Sequence, residues 1–291
     1  MGSLRKGIAC IVASAFGFAL MAFFVRLCDD CGAPVSCFQK GFFRNAIAFA
    51  IALAVFCRDR RRRGDSPRQL HGDSPRRLFV LVLRSLFGTI GIFANFYAIS
   101  RIPIGEAMTL NKTAPFFTVL FSWILLGERV SKRQALCLLL AFAGATLVMK
   151  PGFRADEMFA TACALGGGLC AGLAYACVHL LGRMKVAGSV VVLFFSGFSC
   201  LASIPFVAFD YRPMTLVQVL VLLGAGAGAA IGQFGVTAAY RFAEPRAIAS
   251  YDYTSVIFAA LFGFAFFGQV PDLLSVVGFA AILLAAARMR K

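Results

Sequence analysis

From Glu106 to Glu128 the chain reads EAMTLNKTAPFFTVLFSWILLGE. This is a largely apolar run of the length a helix needs to cross a bilayer core of about 30 Å. Two of its residues do not suit a plain anchor. Lys112 lies inside the run, where an ionisable group is costly and marks a functional candidate. Pro115 has no N–H and would clash with the carbonyl of residue 111, so the helix is expected to bend there.

The pattern returns. From Ala243 the chain reads AEPRAIASYDYTSVIFAALFGFAFFGQV. Arg101 falls against Arg241, Ala107 against Ala247, Lys112 against Asp252 and Phe117 against Ile257, all at a spacing of 140. After a drift of one residue, Gly127 falls against Gly268 and Glu128 against Gln269. Two related halves are expected, 1–150 and 151–291.

Composition fixes the class. The chain is 60% hydrophobic, with 32 Phe and a mean hydropathy of +0.83. A soluble helical protein would need polar faces to cover its apolar runs, and none is available. The runs lie at roughly 7–26, 35–56, 78–99, 105–126, 132–150, 160–181, 188–209, 214–237, 245–267 and 272–288. The expected fold is an all-α integral membrane protein of ten transmembrane helices. With five spans in each half, the second repeat is inverted relative to the first, as in many secondary carriers.

Charge orients the bundle. With a cytoplasmic N-terminus, 20 of the 29 basic residues fall in inside segments, chiefly the arginines of 58–77. Five fall outside: Arg26, Arg101, Lys150, Arg154 and Arg212. This asymmetry predicts an inner or plasma membrane protein with both termini cytoplasmic. It also accounts for the net charge of +16 without nucleic acid. The 58–77 run lacks interleaved aromatics and reads as a membrane-facing loop.

The first apolar run fits a spanning helix rather than a cleaved signal, because no convincing small-residue cleavage site ends it. Lys6 stands where a myristoylation signal wants Ser or Thr. Most of the 10 cysteines sit in apolar spans as small hydrophobes. Cys28 and Cys31 form a lone CxxC; plain thiols are the default reading, with an outer disulfide or a zinc site as alternatives. His71 and His179 are far apart in sequence and suggest neither a metal site nor a relay. No cofactor is expected. No Walker A loop is present, and GAGAGAAIGQFG lies inside a membrane-length run rather than after a strand.

The remaining four basic residues, Lys40, Arg44, Arg84 and Lys112, lie within spans. Lys40 and Arg44 share one helical face, and two cations in apolar surroundings need counter-charges, water or an anionic ligand. Lys40 and Arg84 could instead snorkel to the membrane surface, whereas Arg44 lies deeper. Asn95 and Tyr97, near an outer helix end, offer hydrogen bonds to a substrate or ordinary interfacial contacts. Gly224, Gly228 and Gly232 share one face and, with Gly88 at the position equivalent to Gly228, read as packing or gating positions. The tight crossings expected near Phe16–Phe18 and Ala171–Tyr175 could equally line a water-filled path.

Asp252, between Tyr251 and Tyr253, is the acidic residue deepest in a span. A buried carboxylate must pair with a cation, take up a proton or stay wet. At 1.5 Å rise per residue, Lys112 and Asp252 fall on opposite sides of the midplane, with Cα atoms roughly 10 Å apart in depth. A direct ion pair and a bridging ligand both fit that separation.

Ala107, Leu110, Asn111, Pro115, Leu126, Gly127 and Glu128, with YDYTSVIFAALFGFAFFGQ at 251–269, carry a resemblance to a known family. The chain resembles the EamA-like branch of the drug/metabolite transporter superfamily over nearly its whole length. The resemblance implies two five-helix repeats around a central cavity, alternating access, and a cavity lined by the third, fourth, eighth and ninth spans. It extends to exporters of amino acids, carriers of nucleotide sugars and exchangers of organic anions. Ser255 stands where the first half has Pro115, and Gln269 where it has Glu128, so the halves need not bend or couple alike.

The expected function is secondary active transport, not enzymatic catalysis, of a small organic anion bearing a carboxylate or phosphate. The alternative is export or exchange of zwitterionic amino acids. Lys40, Arg44, Arg84, Asn95, Tyr97, Asn111, Lys112, Tyr251 and Asp252 are the candidate substrate contacts, with Asp252 also the candidate coupling group. Pro115, Gly88, Gly224, Gly228 and Gly232 are the hinge and packing candidates. The expected partners are a small metabolite and the lipid bilayer, with protons as a candidate coupling ion; the sequence leaves the oligomeric state open, a monomer included.

Overall fold

The computed structural model describes residues 2–33, 35–63, 74–99, 101–102, 104–149, 157–268 and 270–289. Expectations placed on Lys150, Arg154, Gln269, residues 64–73 with His71, the Glu106 side chain and the last two residues lie outside them.

The described residues form helices and no strand. The helices are α1 Gly2–Asp30, α2 Cys37–Arg63, α3 Pro75–Ile99, α4 Ile104–Asn111, α5 Ala114–Leu126 and α6 Lys132–Met149. They continue as α7 Met158–Arg183, α8 Gly188–Phe209, α9 Leu216–Phe242, α10 Pro245–Ile248, α11 Thr254–Phe267 and α12 Leu273–Met289. Among the described residues, eight segments are long and apolar enough to cross a membrane, counting Pro245–Phe267 as one, and α12 is a shorter apolar helix. The outer face exposes Trp123, Ile124, Leu136, Leu201 and Leu283. Such a surface suits lipid and would be a liability in water. The protein is a multi-pass membrane protein.

Two segments expected as continuous spans are interrupted. The 105–126 run breaks at Lys112 and Thr113, just ahead of Pro115, which occupies the first turn of α5, where its missing N–H costs nothing. The 245–267 run has no internal proline but breaks as well: Ala249–Tyr253 tightens into a 3-10 helix before α11 begins. Both runs end alike. Gly127 (φ 70°) and Gly268 (φ 63°) close α5 and α11 in the left-handed region, which glycine enters without steric cost.

Close crossings hold the bundle together. At the α1–α9 contact, a Cβ on Gly228 would lie 2.8 Å from the Met21 nitrogen and 3.0 Å from the Gly17 oxygen. Gly232 faces the Phe18 ring and Gly224 the Phe24 ring. Gly91 against Gly167 brings α3 to α7, Gly172 brings α7 to α5, and Gly144 against Gly278 brings α6 to α12. Without a water-driven hydrophobic effect between helices, this backbone proximity supplies the packing energy.

One apolar cluster closes one end of the bundle. Ile11, Val80, Leu181, Val191, Val236 and Ile248 pack there, one from each of six helices, with Ala286 of α12 and Tyr251 beside them. Above that plug lies the cavity that holds most of the candidate residues.

Candidate functional site

The cavity has a volume of about 950 Å³. Arg84, Tyr175, Phe195, Gln233 and Asp252 line its deep end, while Arg26, Asp29, Asp30 and Val270 line the opposite end. Asp29 there is 44% exposed, so the cavity reaches solvent on the side away from the plug. The volume falls at the upper end of the range for small-molecule sites.

The floor is built around Arg84 of α3, which is 2% exposed and therefore does not snorkel. Its Nη2 donates to Gln233 Oε1 of α9 at 3.0 Å. Its guanidinium carbon lies 3.8 Å from the centroid of the Phe195 ring of α8, in cation–π contact. Gly88, one turn along α3, makes this possible, because a Cβ there would collide with both the guanidinium and the Phe195 ring. Arg44 of α2 lines the same cavity. The Nε atoms of Arg44 and Arg84 are buried with no hydrogen-bond partner among the described residues, and so is Asn95 Oδ1.

The wall is the meeting of the two helix breaks. Lys112 Nζ donates to Asp252 Oδ2 at 2.9 Å and to Ser255 Oγ at 2.7 Å. Tyr253 OH donates to the Lys112 carbonyl at 2.7 Å, at the point where the break leaves that carbonyl free to accept. The Lys112 and Asp252 side chains remain 20% and 18% exposed, and both face the cavity. Nearer the mouth, Lys40 Nζ lies 2.5 Å from Asp29 Oδ1.

Of the sequence candidates, Lys40, Arg44, Arg84, Asn95, Asn111, Lys112, Pro115, Gly88 and Asp252 therefore gather on one cavity. Two do not. Tyr97 is 39% exposed and packs edge-on against Phe159. Tyr251 is buried in the apolar plug. Tyr175, Phe195, Gln233 and Ser255 belong to the cavity but were not among the substrate contacts named from sequence, where polar and aromatic side chains in an apolar run look ordinary. His179, set aside on sequence grounds, bonds Glu128 and the Tyr240 carbonyl. Cys28 and Cys31 are free thiols. The described residues contain no group of three His, Cys, Asp or Glu able to hold a metal.

The charge pattern sets what the cavity can accept. Lys112 is paired with Asp252 and Lys40 with Asp29. Arg44 and Arg84 have no carboxylate partner among the described residues. Desolvated guanidiniums with open N–H groups are strong hosts for a planar carboxylate or a phosphate.

Comparison with known proteins gives the same class. The chain is 28% identical over 284 residues to the pseudopaline exporter CntI of Pseudomonas aeruginosa, covering 97% of this chain and 95% of that protein. It is 25% identical over 238 residues to a riboflavin transporter of Brucella anthropi, covering 80% of each. One solved crystal structure superposes with a TM-score of 0.78 at 20% identity, over 95% of this chain and 96% of that one, which speaks for the fold alone. The model of the EamA-like transporter family matches residues 5–150. The chain belongs to the EamA-like transporter family and is a membrane transporter of the drug/metabolite superfamily.

Proposed function

We propose that this transporter is a secondary active carrier of a small organic anion, bearing a carboxylate or phosphate, and that it works by alternating access. The observation that carries the reading is the pair Arg44 and Arg84, one part-buried and one buried, which lines the cavity with no carboxylate partner among the described residues and with both Nε atoms buried and unpartnered there. A bound anion supplies the missing charge and leaves with it when the cavity opens to the other side. Asn95, Asn111 and the Lys112–Asp252 pair complete the contacts, and Asp252 is the coupling group.

The proposed architecture is ten spans in two inverted five-helix repeats, 1–150 and 151–291. The packing supports it: α1 lies on α9 as α7 lies on α3, and α11 lies on α1 as α5 lies on α7. The two helix breaks and the two left-handed glycine caps supply a second, independent match. Both termini are cytoplasmic in this reading, so the cavity faces outward. The pseudopaline exporter among the relatives supports outward movement of substrate.

A zwitterionic amino acid is the second reading. It is favoured by Asp252, whose carboxylate faces the same cavity and could receive an ammonium group in place of Lys112. Calorimetry on purified protein with a panel of carboxylates, phosphate monoesters, amino acids and neutral sugars tests both. The first reading expects anions to bind and Arg84→Gln to abolish that binding. Selective binding of amino acids establishes the second, and selective binding of neutral sugars contradicts both.

A further inference from the structure

Between the Arg84 floor and the charged mouth at Asp29 and Lys40, the cavity changes character. Met21 and Phe23 line it from α1, Ala260 and Phe262 from α11, and Phe279 from α12. Ile92 of α3 and Met149 of α6 face the same space. All seven are partly buried. Phe18, which packs on Gly232 beside Gln233, lies roughly 16 Å below Asp29 at about 1.5 Å rise per residue along α1. A carboxylate or phosphate held by the arginines takes up only a small part of that depth. It fills little of a cavity of about 950 Å³. The apolar belt is left to face water, a free-energy cost that an apolar ligand surface removes.

The rings of the belt gather where α1 meets α11. The Phe23 ring centroid is 5.5 Å from that of Phe262 and 5.7 Å from that of Phe267, and all three residues line the cavity. The Arg26 guanidinium carbon lies 4.6 Å from the Phe267 centroid, at the mouth end of the belt. Helix contact alone does not require rings. Where α7 meets α5, Gly172 brings the backbones together, and a Cβ there would lie 2.9 Å from the Ala114 oxygen. Met21 and Met149 add flexible, polarizable surface that adapts to ligands of different shape. A charge placed against this belt would be desolvated without a partner, so the charged end of a ligand belongs on the arginines.

We propose that the substrate is an amphipathic anion. Its carboxylate or phosphate head sits on Arg84 and Arg44, and its alkyl or aryl body lies along the belt of α1, α11 and α12 toward the mouth. The proposal rests on the anion reading of the cavity and assigns the part of the ligand that the arginines do not touch. Phe23, Phe262 and Phe279 are then specificity-determining residues. A short hydrophilic anion reaches the arginines but leaves the belt wet, and it binds weakly.

Calorimetry on the full-length protein in nanodiscs, with empty nanodiscs as the reference, tests this. The probes are straight-chain carboxylates from butyrate to octanoate, alkyl phosphates of the same lengths, and neutral octanamide. In at least one of the two anion series, binding should tighten by about fourfold per added methylene. Octanamide should not bind. Ala260→Phe, which fills the belt, and Phe279→Ala, which strips part of it, should each collapse the octyl-to-butyl affinity ratio. Arg84→Gln should abolish binding of every anion. Anions that bind with one affinity whatever their chain length overturn the amphipathic substrate and leave the anion carrier standing. A chain-length gain that persists in full in both belt variants does the same. Octanamide binding as tightly as octanoate, or no binding of any carboxylate or phosphate, overturns the anion reading and this inference with it.

Discussion

Lys112 and Asp252, 140 residues apart in the chain, meet at 2.9 Å, and each sits at the break of an interrupted helix. The repeat spacing read from the sequence is thus also a contact in space. A broken helix leaves backbone polar groups to be satisfied, and inside a membrane that is tolerated where protein or a cavity supplies partners. Here Lys112 serves both needs: its ammonium reaches Asp252 and Ser255, and its carbonyl accepts from Tyr253.

Removing one member of this pair should therefore cost more than removing both. Lys112→Met or Asp252→Asn alone should lower stability by about 2–4 kcal/mol, because an unpaired charge or an unsatisfied partner remains in low dielectric. The double variant should recover part of that loss. Denaturation in mild detergent, analysed as a double-mutant cycle, measures the coupling; strictly additive losses would mean that the pair contributes no interaction energy.

The floor arginines should separate binding from folding. Arg44→Gln should leave the helical circular-dichroism signal intact and weaken binding of an anionic ligand by about 2–5 kcal/mol, the scale for a desolvated charge contact. Isothermal titration reads this directly. Unchanged affinity in a folded variant would remove Arg44 from the site.

Glycine substitutions should divide by mechanism. Gly228→Ala puts a Cβ 2.8 Å from the Met21 nitrogen and should cost about 1–3 kcal/mol through the α1–α9 crossing. At Gly127 a Cβ would meet nothing within 4 Å, yet φ is 70°, so Gly127→Ala should cost about 1–2 kcal/mol through the backbone alone. Gly166→Ala, with open space and helical φ, should be neutral or slightly stabilising. Thermal melts of the three variants in one detergent give the order, and equal shifts would contradict it.

Orientation is open to a labelling test. With both termini cytoplasmic, single cysteines placed at Asp30 or Tyr211 should react with a membrane-impermeant maleimide in intact cells. Cysteines at Ser131 or Lys185 should react only after lysis. The reverse pattern would invert the topology and place the cavity mouth on the cytoplasmic side.

The membrane class and the cations inside apolar runs were legible in sequence because each follows from composition or position. Lys112 and Asp252 were individually conspicuous, as charges inside apolar runs. Their contact was not, because a depth estimate assumes two straight helices, and both helices break at these residues. Pro115 announced the first break. The second has no proline and comes from a 3-10 segment whose residues, Ala249–Tyr253, carry no breaker. Gln233 and Phe195 gain importance only from Arg84, on another helix. His179 looked isolated because its partners lie 51 and 61 residues away.

Entrance counterflow in proteoliposomes tests the central claim most directly. Vesicles preloaded with an unlabelled carboxylate or phosphate metabolite that binds the purified protein are diluted into a trace of the same labelled compound. A carrier of anions predicts transient, saturable accumulation of label that depends on the internal load and is lost in Arg84→Gln. Uptake that is linear with concentration and indifferent to the internal load, or that survives unchanged in Arg84→Gln, would contradict it.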